Sequence, residues 1–343
     1  MRKLLNTLYV SSQGAYLHKE GETIVVEREQ QKLLQLPAHT IGGIVCFGNV
    51  LCSPFLLGFC AEHDIAVSFL TEYGNFLASV RGPVSGNVLL RREQYRMADN
   101  AETTRIISSN IVAGKLANSR VVMNRVLRDH GGRIDIESIR SASSSIDRLI
   151  DELPQATDSD SVRGIEGLAA SEYFGVFNQF IVDQKEDFFF NVRSRRPPLD
   201  PVNSLLSFVY TLLNHDVRSA VETVGLDPAV GFLHRDRPGR AGLSLDLMEE
   251  FRPIIADRLV LSLINRHQVS PQGFKKAENG AVIMDDSTRK VVLVEYQTRK
   301  QDEIYHPYIE EKIPVGLLYF VQANLMARFI RGDIDGYPPF FWR

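Results

Sequence analysis

The sequence is sparse in the features that would decide its class at once. It has three cysteines in 343 residues, Cys46, Cys52 and Cys60, and one tryptophan. The cysteine spacing makes no CxxC pair, so a zinc ribbon or finger is not expected. Each cysteine has apolar neighbours (Val45-Cys46-Phe47, Leu51-Cys52, Phe59-Cys60), which reads as small core residues of a reduced protein. No run approaches the roughly 18 apolar residues of a membrane span. The opening MRKLLNTLYVSSQ has too short an apolar stretch for a signal peptide, so a cytoplasmic location without membrane is expected. A surplus of positive charge is missing as well: 39 Lys and Arg face 42 Asp and Glu, a net charge of -3. That excludes a uniformly basic nucleic-acid binder and leaves room for a local basic stripe.

What is present is ordinary globular composition, 44% hydrophobic and 24% charged, on a chain long enough for two domains. Residues 1–80 read as β-rich. Leu8-Tyr9-Val10, Ala15-Tyr16-Leu17, Thr23 to Val26 and Ile44 to Phe47 are short strand runs punctuated by turn residues. Ser53-Pro54 reads as an N-cap and first-turn proline for a short helix. Ile65 to Phe69 and Phe76 to Val80 read as a hairpin around Tyr73-Gly74. Residues 81–86, RGPVSG, form a breaker-rich linker. After it the apolar period becomes helical: Ile107, Ile111, Leu116, Met123 and Leu127 define a helix from Ala101 to His130, stopped by Gly131-Gly132. Further helices are expected at Ile134 to Leu153, Val162 to Val182, from Asp200-Pro201 onward to Gly225, from near Ser244, and at Glu310 to Ile330. Ala281 to Met284 and Val291 to Tyr296, flanking Asp285-Asp286-Ser287-Thr288, read as a hairpin. The expected fold class is α+β multidomain: a small N-terminal β-rich domain, then a larger, mainly α-helical catalytic domain over 87–343 with an inserted β-hairpin.

Three segments carry candidate chemistry. In RGIEGLAASEYF, glycines flank Glu166, and each costs a helix roughly 1 kcal/mol against alanine. Such glycines can let a backbone or ligand come close. Glu166, Ala169, Ala170 and Tyr173 share a helical face that reads as buried, and a buried carboxylate needs a cation, proton or metal. The bland alternative is a surface acid near a helix start. In GFLHRDRPGR, His234 opens a loop with Arg235, Arg237 and Arg240, a setting suited to phosphate; a structural histidine is the bland alternative. In SLDLMEEFRP, Asp246 and Glu249 sit three apart on one helical face. Acids in a first turn also simply complement the helix dipole. Pro253 should interrupt that helix. One histidine with several carboxylates makes a hard donor set, suited to Mn²⁺ or Mg²⁺. Between residues 190 and 240 there are seven arginines, no lysine and five acids. Arg193, Arg195 and Arg196, with Arg235, Arg237 and Arg240, are the candidate DNA contacts; a solvated basic loop is the alternative.

RGIEGLAASEYF, RSRRPPLDPVNSLLSFVYTLL and GLDPAVGFLHRDRPGRAGLSLDLMEEFRP together resemble the motifs of CRISPR-associated protein 1, the integrase that inserts new spacers. The resemblance spans the chain and is densest from 163 to 257, with wording closest to the type I-C branch. It implies Glu166, His234 and Glu249 as both catalytic residues and metal ligands, Asp246 as a supporting residue, and Asn203 and Tyr210 near the site. It implies a metal-dependent strand transfer, in which the 3′-hydroxyl of a captured fragment attacks a phosphodiester at a repeat boundary in the CRISPR array. It also implies double-stranded DNA as partner, a homodimer with the β domain as dimerisation domain, and CRISPR-associated protein 2. The alternatives are a free-standing metal nuclease and a non-catalytic DNA-binding scaffold subunit.

Overall fold

The computed structural model describes residues 5–74, 76–80, 82 and 88–342. The breaker-rich linker therefore lies outside the described residues, apart from Gly82. The chain divides into two compact units: Met1–Gly86 with Leu293–Gln301, and Asn87–Val292 with Asp302–Arg343.

In the first unit, short β-branched and aromatic runs form β1 (Asn6–Val10), β2 (Tyr16–Glu20), β3 (Thr23–Arg28), β4 (Gln31–Pro37), β5 (Ile41–Phe47), β6 (Leu51–Cys52), β7 (Ala66–Leu70) and β8 (Phe76–Val80), with α1 (Pro54–Glu62) after β6. They make two four-stranded sheets, in the orders β1-β5-β7-β8 and β4-β3-β2-β6. Pairing is parallel for β1–β5 and β5–β7, and antiparallel for β7–β8. Leu17, Ile24, Val26, Ile44, Val67, Leu56 and Phe59 share one core with Cys46 and Cys60. The cysteines are free. The Ser53 side chain accepts from the Leu56 amide and caps α1 as its position predicts. Strand β4 escapes sequence reading. QKLLQLP is exposed along nearly its whole length and shows no alternation. Its turn uses Glu29 and Gln30 at φ 52° and 63°, where Asn-Gly would be the usual signal.

The second unit is helical: α2 (Val88–Asp99), α3 (Ala101–His130), α4 (Ile136–Glu152), α5 (Ser159–Gly175), α6 (Pro201–Thr223), α7 (Gly242–Phe251) and α8 (Arg258–Asn265). The chain continues through β9 (Phe274–Lys276), β10 (Val282–Met284), α9 (Asp286–Gln301), whose residues from Leu293 on count with the first unit, and β11 (Glu303–His306), β12 (Glu311–Pro314) and α10 (Val315–Ile330). Side-chain caps start the long helices: Asn100 for α3, Asp158 for α5 and Asp200 for α6. The 30-residue α3 is central and packs against α4, α5 and α7.

The hairpin expected over Ala281 to Tyr296 is corrected. Val282–Met284 does form a strand, but it pairs backwards with Phe274–Lys276. Val291 to Tyr296 is helical. Asp285 accepts from the Thr288 amide, so Asp285-Asp286-Ser287-Thr288 is a helix start and not a turn. The same residue types serve both purposes. Thr288, Val292, Tyr296 and Lys300 are buried at helical spacing, which the local run of valines conceals. The final helix starts at Val315, five residues later than expected, because Glu311–Pro314 pairs with Glu303–His306.

Candidate active site

The site forms where α5, α7 and the loop before α7 meet α3. Gly231 and Gly242 allow this approach. A Cβ on Gly231 would lie 2.6 Å from both Asp246 Oδ2 and the Gly242 carbonyl carbon, and one on Gly242 would lie 2.7 Å from the Ala229 oxygen. With the loop seated so closely, the Asp246 carboxylate accepts from three successive backbone amides: Phe232 at 2.6 Å, Leu233 at 3.0 Å and His234 at 3.0 Å. It also accepts from His234 Nδ1 at 2.7 Å. An ionised carboxylate only accepts, so Nδ1 carries the proton and Nε2 is left as the basic nitrogen. That nitrogen is 3.9 Å from Glu249 Oε1. The α5 end is tied to the same loop: Arg163 donates to the Leu233 carbonyl at 2.9 Å, and Arg235 contacts Asp160 at 2.6 and 2.7 Å.

Glu166, His234 and Glu249, three positions far apart in sequence, are thus brought into one neighbourhood. Lys115 joins them from α3. Its ammonium pairs with Glu166 and lies 2.8 Å from Glu249 Oε2. Arg252 pairs with Glu249 from the other side. Burial opposes the charge on Glu249, but Arg252 and Lys115 outweigh it and hold its carboxyl below the ordinary carboxylate value. Burial likewise opposes the Lys115 charge, and Glu249 and Glu166 overcome it, so its pKa lies above the ordinary lysine value. Among the described residues, no three His, Cys, Asp or Glu side chains are gathered so as to hold a metal as they stand. The Lys115 ammonium lies between the two carboxylates. The donor set itself, two carboxylates and an imidazole with Nε2 turned toward one of them, fits a hard divalent cation.

Beside this cluster is a cavity of about 30 Å³ lined by Lys115, Glu166, Arg195, Tyr210, Arg252 and Asp257 among others. After α7 the backbone runs as a π-helical segment, Arg252–Asp257. Pro253 lacks the amide that would continue the α-helical ladder, as its sequence position predicts. This segment delivers Arg252 and Asp257 to the cavity. Asp257 accepts from Tyr210 at 2.7 Å and Tyr173 at 3.1 Å. Burial raises its carboxyl to about 6, against the opposing pull of the two hydroxyls. The Tyr210 ring lies against the guanidiniums of Arg193, at 5.2 Å, and Arg252, at 5.1 Å.

The remaining candidates separate. Asn203 does not reach the carboxylates. It bonds Arg193, Ser194, Val192 and Asp200, and so pins the segment leading into α6. Arg193 is half-buried, its guanidinium bonded to Asn203, Ser207 and the Ser194 carbonyl. Arg195, Arg196, Arg235 and Arg237 are exposed, and Arg240 is half-buried. Gly164 and Gly167, read as permitting close approach, have no atom of the described residues within 4 Å of where a Cβ would sit, their own helical turn and chain neighbours aside. Sequence reading missed Lys115, Arg252 and Asp257. A signal existed for Lys115: it stands on the apolar stripe of α3, one turn beyond Ile111, where a lysine is out of place.

A β-rich unit followed by a helical unit with buried acids and a histidine defines a fold class found among solved structures. A CAS1 protein from Thermotoga maritima matches with a TM-score of 0.82 and 24% identity, covering 96% of this chain and 97% of that one. A casposase bound to integration product matches with a TM-score of 0.85 and 20% identity, covering 99% and 95%. The family profile "CRISPR associated protein Cas1" matches residues 8–298. A CRISPR-associated endonuclease Cas1 from Chlorobaculum tepidum is 55% identical over 343 residues, the full length of both chains. The chain belongs to the CRISPR-associated protein Cas1 family.

Proposed function

We propose that this chain is a metal-dependent DNA integrase and endonuclease that inserts captured DNA fragments as new spacers into a CRISPR array. The observation that carries the reading is the convergence of Glu166, His234 and Glu249, from three separate segments, beside one cavity edged by an exposed arginine. Full-length similarity to a protein named as a CRISPR-associated endonuclease supports the nuclease part. The motif resemblance supports the integrase part and, by its wording, the type I-C branch.

Glu166, Glu249 and His234 Nε2 would hold Mn²⁺ or Mg²⁺, which when bound lowers the cost of deprotonating an attacking hydroxyl and screens phosphate charge. Asp246 fixes the imidazole orientation, so Nε2 faces the carboxylates without searching rotamers. Arg195, exposed at the cavity, suits a phosphate of the target strand. Tyr210, braced between two guanidiniums and Asp257, shapes the wall against which the reacting strand would lie. The 3′-hydroxyl of the fragment attacks a phosphodiester at the repeat boundary, and the displaced 3′-oxygen leaves; water in place of that hydroxyl gives plain cleavage. Double-stranded DNA, a second copy of the chain and CRISPR-associated protein 2 are the partners in this reading. Exposed Leu51, Phe55, Phe76 and Leu77 in the β unit support the self-association.

The test is integration of a labelled fragment into a repeat-bearing plasmid, with and without Mn²⁺. Wild type should yield joined product only with the cation. Glu166→Ala should lower joining by at least about 100-fold, the scale of removing a directly acting electrostatic group, while DNA binding in a mobility-shift assay persists. Unchanged joining by Glu166→Ala would overturn the site. Cleavage without any joined product would favour the nuclease alone.

A further inference from the structure

We propose that Lys115 is a built-in competitor of the divalent cation: its ammonium and the cation are alternative counter-ions for Glu166 and Glu249, so Lys115 sets the cation affinity of the site. The inference rests on the metal reading above. It begins from position. Lys115 arrives on α3, while Glu166 belongs to α5 and Glu249 to α7, so none of these contacts is a local pairing within one helix. The lysine side chain is 11% exposed and that of Glu249 is 3% exposed. A lysine this enclosed is held by charge and not by chance proximity.

Charge balance supplies the next step. Glu166 and Glu249 carry two negative charges, and Lys115 and Arg252 carry two positive ones, a neutral set. With the Asp246 carboxylate behind His234 counted as well, a dication on the same carboxylates would leave a surplus of positive charge in a largely buried cluster. At a separation of a few ångströms and low effective dielectric, that repulsion far exceeds thermal energy. One of the two side chains must therefore withdraw. Arg252 is fixed by its contact with Glu249 and by the Tyr210 ring. Lys115 has a flexible four-carbon stem beside the cavity that Ser119, Tyr210 and Asp257 line. Lys115 is thus the group that yields.

The experiment titrates Mn²⁺ into the purified full-length chain at fixed pH and reads free Mn²⁺ by electron paramagnetic resonance. Lys115→Met removes the competing charge and should tighten Mn²⁺ binding by about tenfold, the consequence of losing a competitor worth one ordinary ion pair. Lys115→Arg keeps the charge and should bind as wild type does. A purely structural lysine would not produce that ordering by charge. Thermal unfolding without Mn²⁺ should shift downward for Lys115→Met and recover on adding the cation. If Lys115→Met does not fold, Lys115→Gln, of similar length and able to donate to Glu166, makes the same comparison. Unchanged or weaker Mn²⁺ binding in the neutral variants, with Glu249→Gln still abolishing binding, overturns the role of Lys115 and leaves the metal site standing. No Mn²⁺ binding by wild type overturns both.

Discussion

Helix α7 buries three acids within ten residues, and each is accommodated differently. Asp246 is surrounded by backbone amides and an imidazole, Glu249 by two cations, and Glu250 by neutral donors. The reading of these residues as ordinary first-turn acids therefore fails: Asp246 and Glu250 are wholly enclosed, and no helix dipole would offset that desolvation. The arrangement makes Asp246 a positioning residue. Asp246→Asn keeps one acceptor oxygen but cannot accept on both sides of the carboxyl. Mn²⁺ affinity should fall by roughly 10- to 100-fold, as for other outer-shell partners of a metal-ligating histidine. Isothermal titration would measure it; an affinity equal to wild type would show that His234 needs no such support.

At the scale of elements, the C-terminal tail is an integral part of the helical unit. Tyr337 donates to Glu250 at 2.5 Å, the Phe340 amide donates at 2.7 Å and Gln322 at 3.0 Å. The tail then continues to Trp342, whose ring lies 4.3 Å from the Arg258 guanidinium carbon. Burial raises the Glu250 carboxyl to about 8, despite these donors. A carboxyl raised in the folded state contributes stability that is complete below its ordinary value of 4.5 and is lost as pH rises through about 8. The tail should therefore loosen in that window. Amide exchange at residues 340–342, corrected for the intrinsic effect of pH, should accelerate from pH 5 to pH 8.5. Glu250→Gln, which cannot ionise, should flatten the change. The π-helical segment after α7 is the other element with consequences. It exists because Pro253 breaks the ladder, and it turns Arg252 and Asp257 toward the same cavity.

For the whole molecule, the proposed function asks how a chain of net charge -3 would handle DNA. Its arginines are not evenly available. Arg193 is half-buried and bonded to Asn203, while Arg195, Arg196, Arg235 and Arg237 are exposed. A homodimer would double that display, and the β unit has the apolar surface for it. Phe55, at the start of α1, is 82% exposed. Light scattering after size exclusion should give about twice 38.7 kDa for wild type. Phe55→Glu together with Leu51→Glu should shift the chain toward monomer, because burying an unpaired carboxylate costs more than the apolar contact returns. A wild-type monomer at micromolar concentration would overturn the assembly. None of the described helices is long and apolar enough to cross a membrane.

Period, caps and breakers were legible in the linear chain because they act between residues a few positions apart. The Ala101 to His130 helix, the Ser53 and Asp200 caps, and the break at Pro253 all follow from such neighbours. The motif wording likewise carried the family. The fate of individual charges was not local. Lys115 meets Glu166 across 51 positions, and Tyr337 meets Glu250 across 87. Burial by distant elements decides whether an acid is a solvated surface group or a site. The same folding decided that Arg193 braces a ring, that Val291 to Tyr296 is helical, and that a lysine stands among the acids of the candidate metal site.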